Sequence, residues 1–396
     1  MTTVGIICEY NPFHGGHLRQ IEAARARGAA VVCLMSGNLT QRGDFAVADK
    51  LTRARAALSC GADLVLELPF PYCASGAEFF AAAGVCILDA LGVDEINFGS
   101  ECGDAERLLA AAKIATAPDF DEKYRAILDR DPFLGAARAY FELFREAGLE
   151  ADLPPNDILG LAYFKAALRA GCESKLTVIK REGAGYGDEE LTAGQLPSAT
   201  ALRRLMHSGH VDAALTNMPP AAADAIRAAV SRGEAPCDLR AIGSAILAFF
   251  RLTDPASLDG FAEAGGGLAH RLCAAARESA TLDEFYAAAA SKRYTDARLR
   301  RAVINCMVGV TPADLRATPA YVQLLAANAT GRELLATMKK AASIPVVTKP
   351  ADAESLGETA ARQYALTFRA DALFTLTLPT PRPAGEYVRR KPHVEG

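Results

Sequence analysis

Cys8-Glu9-Tyr10-Asn11-Pro12-Phe13-His14-Gly15-Gly16-His17 is the stretch that decides the fold of this chain. The apolar run that leads into it, Val4-Gly5-Ile6-Ile7-Cys8, has the character of a buried parallel strand. The residues that follow, Leu18 to Arg27, place Leu18, Ile21 and Ala24 on one side of a helix. Two histidines and two glycines therefore stand where a strand turns into a helix, and open α/β sheets bind their ligands there. Glycine lets a ligand approach the backbone, and the first helical turn points unpaired N–H groups at it, which suits a phosphate. Two imidazoles three residues apart add hydrogen bonds to phosphate oxygens. A bare His-x-Gly-His also fits a tight turn with two surface histidines. Its place at the end of the first strand, just after Asn-Pro, favours the ligand site.

Further strands follow at the spacing of βα units. Ala29 to Met35 is a second buried strand ending in Ser36-Gly37-Asn38 and Gln41-Arg42-Gly43-Asp44. Asp63 to Leu68 is a third, Glu95 to Phe98 a fourth and Leu176 to Ile179 a fifth. Helices are expected between them at 49–59, 75–91 and 158–169. This alternation predicts a Rossmann-like parallel sheet with right-handed crossovers. A charged helical stretch, about 104–150, interrupts it as an insertion. Past Met206 the alternation stops and Ala-rich helical segments dominate. The expected organisation is an α/β domain over 1–205 and a mainly helical domain over 206–396. Pro345-Val346-Val347 and Leu373 to Leu376 read as short strands or extended pieces, and the Pro-rich charged end from Arg382 reads as loose.

Composition narrows the function. With 396 residues and 51% apolar side chains, the chain can form two proper cores. No run approaches the roughly 20 apolar residues of a membrane span. The N-terminus lacks a secretory leader, so a cytoplasmic protein is expected. The ten cysteines are scattered singly, which argues against a zinc site or a redox dithiol. A net charge of −4 argues against a DNA-coating protein but leaves room for an RNA enzyme with a local basic patch.

A parallel sheet collects its strand ends along one edge. Here that edge receives His14 and His17, the loop Ser36 to Arg42, Gly99 and Arg181. This inventory suits a nucleoside triphosphate, because pre-placed donors stabilise the charge that builds on phosphate during transfer. Neither a P-loop nor a Gly-x-Gly-x-x-Gly fingerprint is present. Ser198-Ala199-Thr200-Ala201-Leu202-Arg203 adds a helix start at which hydroxyl, backbone N–H and guanidinium can meet an anion; an ordinary cap with a surface arginine has the same pattern. Gly183 to Asp188 fits either a lid or a plain loop. Lys292, Arg293, Arg298, Arg300 and Arg301, with Tyr294 among them, form the densest basic cluster. It suits RNA contact or a solvated helix face.

These motifs together resemble the His-x-Gly-His nucleotidyltransferase superfamily and, more narrowly, the tRNA(Met) cytidine acetate ligase family. The resemblance is carried by Glu9 to His17, Ser36-Gly37-Asn38, Gly61 to Pro69, Phe98 to Glu101, Asn156 to Gly160, Arg181, Gly183 to Tyr186 and Ser198 to Thr200. It continues at Lys292 to Tyr294, Arg298 to Arg301, Gly331-Arg332 and Asp371. It implies an enzyme that activates acetate with ATP, accompanied by Mg2+, as acetyl-adenylate. The acetyl group then passes to the wobble cytidine of elongator tRNA(Met), with no role for DNA or membrane. It implies a nucleotide site made of Ile7, Cys8, Glu9, Tyr10, Asn11, Pro12, Phe13, His14, Gly15, Gly16, His17, Leu18, Arg19, Gln20, Gly99, Asn156 and Arg181. His14, His17 and Arg181 would be catalytic, and Ser198, Thr200 and Arg203 would complete the phosphate site. No dedicated metal ligands are visible. Gly15 stands where the family often has Asn, and Gly187 where it usually has His. The competing expectations are a small-molecule adenylyltransferase acting without RNA and a non-catalytic nucleotide-sensing or RNA-binding protein.

Overall fold

A computed structural model describes residues 1–131, 134, 136–149, 153–181 and 196–395. The first five expected strands form: β1 (Thr3–Cys8), β2 (Ala30–Ser36), β3 (Leu64–Leu68), β4 (Glu95–Ser100) and β5 (Lys175–Lys180). Between and after them lie α1 (Gly15–Arg25), α2 (Lys50–Ser59), α3 (Ala77–Ala90), α4 (Ala105–Ala115), α5 (Phe120–Arg130), α6 (Ala136–Glu146), α7 (Pro155–Ala170) and α8 (Ala199–His207). Helices α4 to α6 lie in the stretch expected as an insertion.

Three more strands come from the second half of the chain, β6 (Val322–Ala327), β7 (Val346–Val347) and β8 (His393–Val394). The sheet runs β5-β4-β1-β2-β3-β6-β7, with β8 also on β6. From β1 the chain winds outward through β2 and β3, then returns to place β4 and β5 on the other side. Strand order therefore reverses between β1 and β4, and the crevice beyond their C-terminal ends is the natural ligand position. Strand β6 joins antiparallel to β3 and is buried along its whole length. The helical half thus completes the sheet that the α/β half begins.

Two expectations are corrected. Leu373 to Leu376 is not a strand: the helix Glu358–Phe374 runs into it, with Leu366, Ala370 and Phe374 buried as its apolar stripe. The C-terminal end is not loose. Tyr387 is buried, Arg390 lies 3.5 Å from the carboxylate of Asp49, and β8 bridges to β6. An extended tail with a sheet edge to pair against gains the backbone hydrogen bonds it would otherwise make with water.

The two halves are fastened by buried charge. Lys50, in the first turn of α2, donates to Glu67 at 2.8 and 2.9 Å and to Asp371 at 2.8 Å. All three are nearly inaccessible. Asn38 donates to Asp371 and to the hydroxyl of Tyr387. Burial works against the charge on Lys50, but Asp371 and Glu67 outweigh it and raise its pKa. Replacing one member of such a group leaves the others buried without compensation. Lys50→Met is therefore expected to destabilise the fold by about 3–5 kcal/mol, measured by denaturant unfolding. A loss below about 1 kcal/mol, the size of a surface pair, would contradict this.

Candidate active site

The turn between β1 and α1 is held in a costly conformation. Tyr10 has φ +48°, a left-handed value that side chains with a Cβ seldom adopt. Packing fixes it there: the ring is buried, with centroids 4.8 Å from Phe13 and 4.8 Å from His17, and its hydroxyl lies 3.3 Å from Cys33 Sγ. Asn11 Oδ1 accepts from Val47 N at 2.8 Å, which ties the turn to the lead-in of α2.

The two histidines cap the helix they begin. His14 Nδ1 accepts from Gly16 N at 3.0 Å, and His17 Nδ1 accepts from His14 N at 3.2 Å, a reciprocal capping box. The rings stack with centroids 3.7 Å apart. A neutral imidazole whose Nδ1 accepts must carry its hydrogen on Nε2. Burial, with Arg181 and Arg203 adding to it, pushes His14 down to about 3. Burial, with His14 and Arg181 adding to it, holds His17 well below the usual imidazole range. Two neutral side chains thus present Nε2–H donors side by side.

Cations arrive from the other strand ends. Arg181 follows β5, its N donating to Ser100 O at 2.9 Å. Its side chain crosses Gly99, where a Cβ would come within 3.2 Å of its Cγ. The turn after β4 is set by Asp157 on α7, which accepts from Ser100 Oγ, Glu101 N and Cys102 N at 2.6, 2.9 and 3.1 Å. Beside it, Asn156 Nδ2 donates to Glu101 at 2.5 Å. Ser198 caps α8, accepting from Ala201 N at 3.0 Å. Arg203 donates to Asn11 O at 2.6 Å and to Thr200 Oγ1 at 3.1 Å. The cap and arginine near Ser198 thus face the histidine turn.

These groups line one cleft of about 460 Å³. Of the expected nucleotide residues, Ile7, Cys8, Glu9, Tyr10, Asn11, His14, His17, Gln20, Gly99, Asn156, Arg181, Ser198, Thr200 and Arg203 line it. Pro12, Phe13, Gly15, Gly16, Leu18 and Arg19 are not among its lining residues. Phe13 is core behind Tyr10, and Gly16 serves through its N–H. The loop 183–188 lies outside the described residues. Glu9 accepts from Gln41 N at 2.7 Å, and burial pushes its carboxyl up.

The basic cluster is divided. Lys292 and Arg293 are exposed, and Arg298 lies over the ring of Tyr294. Arg300 pairs with Asp44 at 2.7 Å and forms part of the cleft wall. Arg301, on the helix Asp296–Val308, is buried and grips both oxygens of Glu263 at 2.7 and 2.9 Å, so it ties that helix to the turn around Glu263. Gly43 brings the 40–45 loop onto this helix: it has φ +81°, and a Cβ there would sit 2.5 Å from Arg301 N. The cleft also takes in Asp44, His207, Asp238, Arg240 and Tyr286. Their positions follow from packing between distant segments, and no local motif marks them.

A parallel sheet that meets a His-x-Gly-His turn at its switch point, flanked by arginines, defines a nucleotidyltransferase of the HIGH class. The family described as HIGH Nucleotidyl Transferase matches residues 1–386. A relative from Acetivibrio thermocellus, named tRNA(Met) cytidine acetate ligase, is 33% identical over 412 residues, covering 98% of each chain. One of the same name from Listeria monocytogenes is 35% identical over 358 residues, covering 88% of this chain and 89% of that one. The crystal structure of Thermotoga maritima TmcAL bound with alpha-thio ATP is similar over 100% of this chain and 99% of that one, with a TM-score of 0.91 and 29% identity. The apo form of that protein gives 0.93. The chain belongs to the tRNA(Met) cytidine acetate ligase family.

The histidine geometry has a titration signature. Both imidazoles are expected to remain neutral Nε2–H tautomers from pH 8 to about pH 5, well below the usual histidine value of about 6.5, in long-range ¹H–¹⁵N spectra. The unfolded chain binds protons on these residues below about pH 6.5 and the folded one does not, so their contribution to stability falls as the pH drops below that value. Protonation of either ring near pH 6.5 would contradict the capping-box assignment.

Proposed function

We propose that this chain activates acetate with ATP and ligates it to a cytidine of tRNA(Met), forming N(4)-acetylcytidine, AMP and pyrophosphate. The names of its relatives support the overall reaction. The observation that carries the chemistry is the stacked, neutral histidine pair beside Arg181 and Arg203. A carboxylate is a poor acyl donor until its oxygen is bonded to a good leaving group. Attack of acetate on the α-phosphate expels pyrophosphate and leaves a mixed anhydride with AMP. Charge builds on the α-phosphate oxygens during that attack. Neutral Nε2–H donors already in place meet it without reorganising, and oriented donors of this kind supply the largest electrostatic share of such catalysis.

In this reading His14 and His17 hold the α-phosphate, Arg181 and Arg203 hold the departing phosphates, and Ser198 and Thr200 support Arg203. The backbone around Ile7 to Asn11, with Gln20, Gly99 and Asn156, encloses the nucleoside. Residues 1–205 bind ATP, and the helical half, 206–396, contacts tRNA through the exposed Lys292 and Arg293 and the half-buried Arg298. Magnesium fits as a companion of the triphosphate. Among the described residues no cluster of three or more metal-ligating side chains exists, so phosphates and water would fill most of its coordination sphere. No step is assigned to it. Among the described residues no helix is long and apolar enough to cross a membrane, and a tRNA substrate suits a cytoplasmic enzyme.

Acetate is expected to stimulate ATP–pyrophosphate exchange, and tRNA(Met) incubated with ATP and acetate to gain one acetyl group on a cytidine by mass analysis. His17→Ala should slow the exchange by about 10²–10³, the usual effect of losing one such donor. Exchange indifferent to acetate, or dependent on a phosphorylated metabolite instead, would overturn the assignment.

A further inference from the structure

The cleft also carries a titratable pair that the activation step leaves unused. His207 ends α8 on the face that also carries Thr200 and Arg203, since residues three to four apart share one side of a helix. Arg203 touches the histidine turn through Asn11 O. His207 therefore stands four residues, about 6 Å of helix rise, from the contact with that turn. Its Nδ1 lies 3.6 Å from Oδ2 of Asp238. This is longer than a formed hydrogen bond, as catalytic contacts often are before substrate arrives. Asp238 is itself fixed, accepting from Arg240 N and Nε at 2.8 Å each and from a terminal guanidinium nitrogen at 2.6 Å. The side chains of His207 and Asp238 are 28% and 30% exposed, and both line the cleft with His14 and His17.

We propose that His207 is the catalytic base of the acetyl-transfer step and that Asp238 positions its ring. This rests on the acetate-ligase reading above. The exocyclic N4 of cytosine attacks the acetyl carbon, and a C–N bond forms. The bond from that carbon to the phosphate oxygen breaks, and AMP leaves with the electron pair. The proton shed by N4 passes to Nε2 of His207, the nitrogen on the far side of the ring from Asp238. His14 and His17 cannot take it, because their Nδ1 atoms are engaged and their Nε2 atoms already carry hydrogen. Burial lowers the pKa of His207. Arg240 and Arg203 reinforce this, while Asp238 and Asp44 oppose it. His207 is thus unprotonated and able to accept at neutral pH. Hydrogen bonds from Arg240 outweigh the cost of burial and hold Asp238 below the usual carboxylate range, so it remains a negative partner. Close by, the guanidinium of Arg300 lies 4.6 Å from the ring centre of Tyr286, a flat surface of the kind on which unstacked bases rest.

The test separates the two half-reactions in the full-length protein. Acetate-dependent ATP–pyrophosphate exchange reads activation. Single-turnover transfer from synthetic acetyl-adenylate to tRNA(Met) reads acetylation. His207→Gln should slow transfer by about 10²–10⁴ and slow exchange at least tenfold less. The same variant should abolish the rise of the transfer rate through an apparent pKa below about 6.5. Asp238→Asn should retain more transfer than His207→Gln and should shift that limb of the profile. Intact exchange also reports that each variant is folded. Equal losses in both half-reactions, or transfer undiminished with exchange intact, would overturn this assignment alone. Absence of acetate-dependent exchange in the unaltered protein would overturn the ligase reading along with it.

Discussion

The cleft depends on one buried cation. Arg53, on α2, is almost fully enclosed and donates to the carbonyls of Ala48 at 2.9 Å, Glu9 at 2.5 Å, Ser36 at 3.2 Å and Gly37. Those carbonyls terminate β1 and β2 and precede α2, so one planar side chain clamps three pieces of backbone where they converge. Arginine suits the task because its donors are fixed in a fork and it cannot be neutralised by losing a proton at ordinary pH. Glu9 is the last residue before the left-handed Tyr10. The clamp therefore sets the direction in which the chain enters the histidine turn, and the packing of Tyr10 against Phe13 and His17 holds what the clamp begins.

From this follows the charge distribution of the site. Charge is supplied by arginines that reach in from β5 and α8, while the histidines nearest the strand end are kept neutral by burial and by those same arginines. The arrangement separates two tasks. Arginines attract a polyanion at any pH. Neutral imidazoles offer directed hydrogen bonds whose donors are fixed by the backbone groups their Nδ1 atoms accept from. Protonated imidazoles stacked 3.7 Å apart would repel each other and break the capping box. The neutral state is thus a structural requirement as well as a chemical one.

The sheet and the histidine turn are legible in the sequence because parallel strands carry two independent signals. Their apolar runs are short and continuous, and their C-terminal ends share an edge regardless of the path between them. Strand β6 escapes this logic. Tyr321-Val-Gln-Leu-Leu-Ala-Ala has one β-branched residue and sits among helices, so local pattern assigns it to the helical half. Only its pairing with β3 makes it a strand. Leu373 to Leu376 fails in the opposite direction, because the helix that consumes it draws its apolar stripe from residues upstream. The roles within the basic cluster are equally hidden. Arg300 and Arg301 are neighbours in sequence, yet one forms cleft wall with Asp44 and the other is buried against Glu263. The rotation of about 100° between successive helical residues decides which is which, and that depends on how the 40–45 loop docks.

The mixed origin of the cleft gives the two halves of the chain a physical reason to be inseparable. The first βα turn, Arg181 and Arg203 line the cleft together with His207 on α8 and with Asp238, Tyr286 and Arg300 from the helical half. An activated acyl phosphate is prone to hydrolysis, so the reaction proposed above gains from a cleft whose two contributing halves are already joined. The Lys50–Glu67–Asp371 group and the C-terminal strand on β6 hold the helical half to the sheet through buried contacts. Interfaces that are small and wet allow domains to move apart. A sheet completed by the second half, with buried ion pairs across the junction, does not. In the reaction proposed above, an intermediate formed in this cleft would meet its acceptor without a large change in the protein between the two steps.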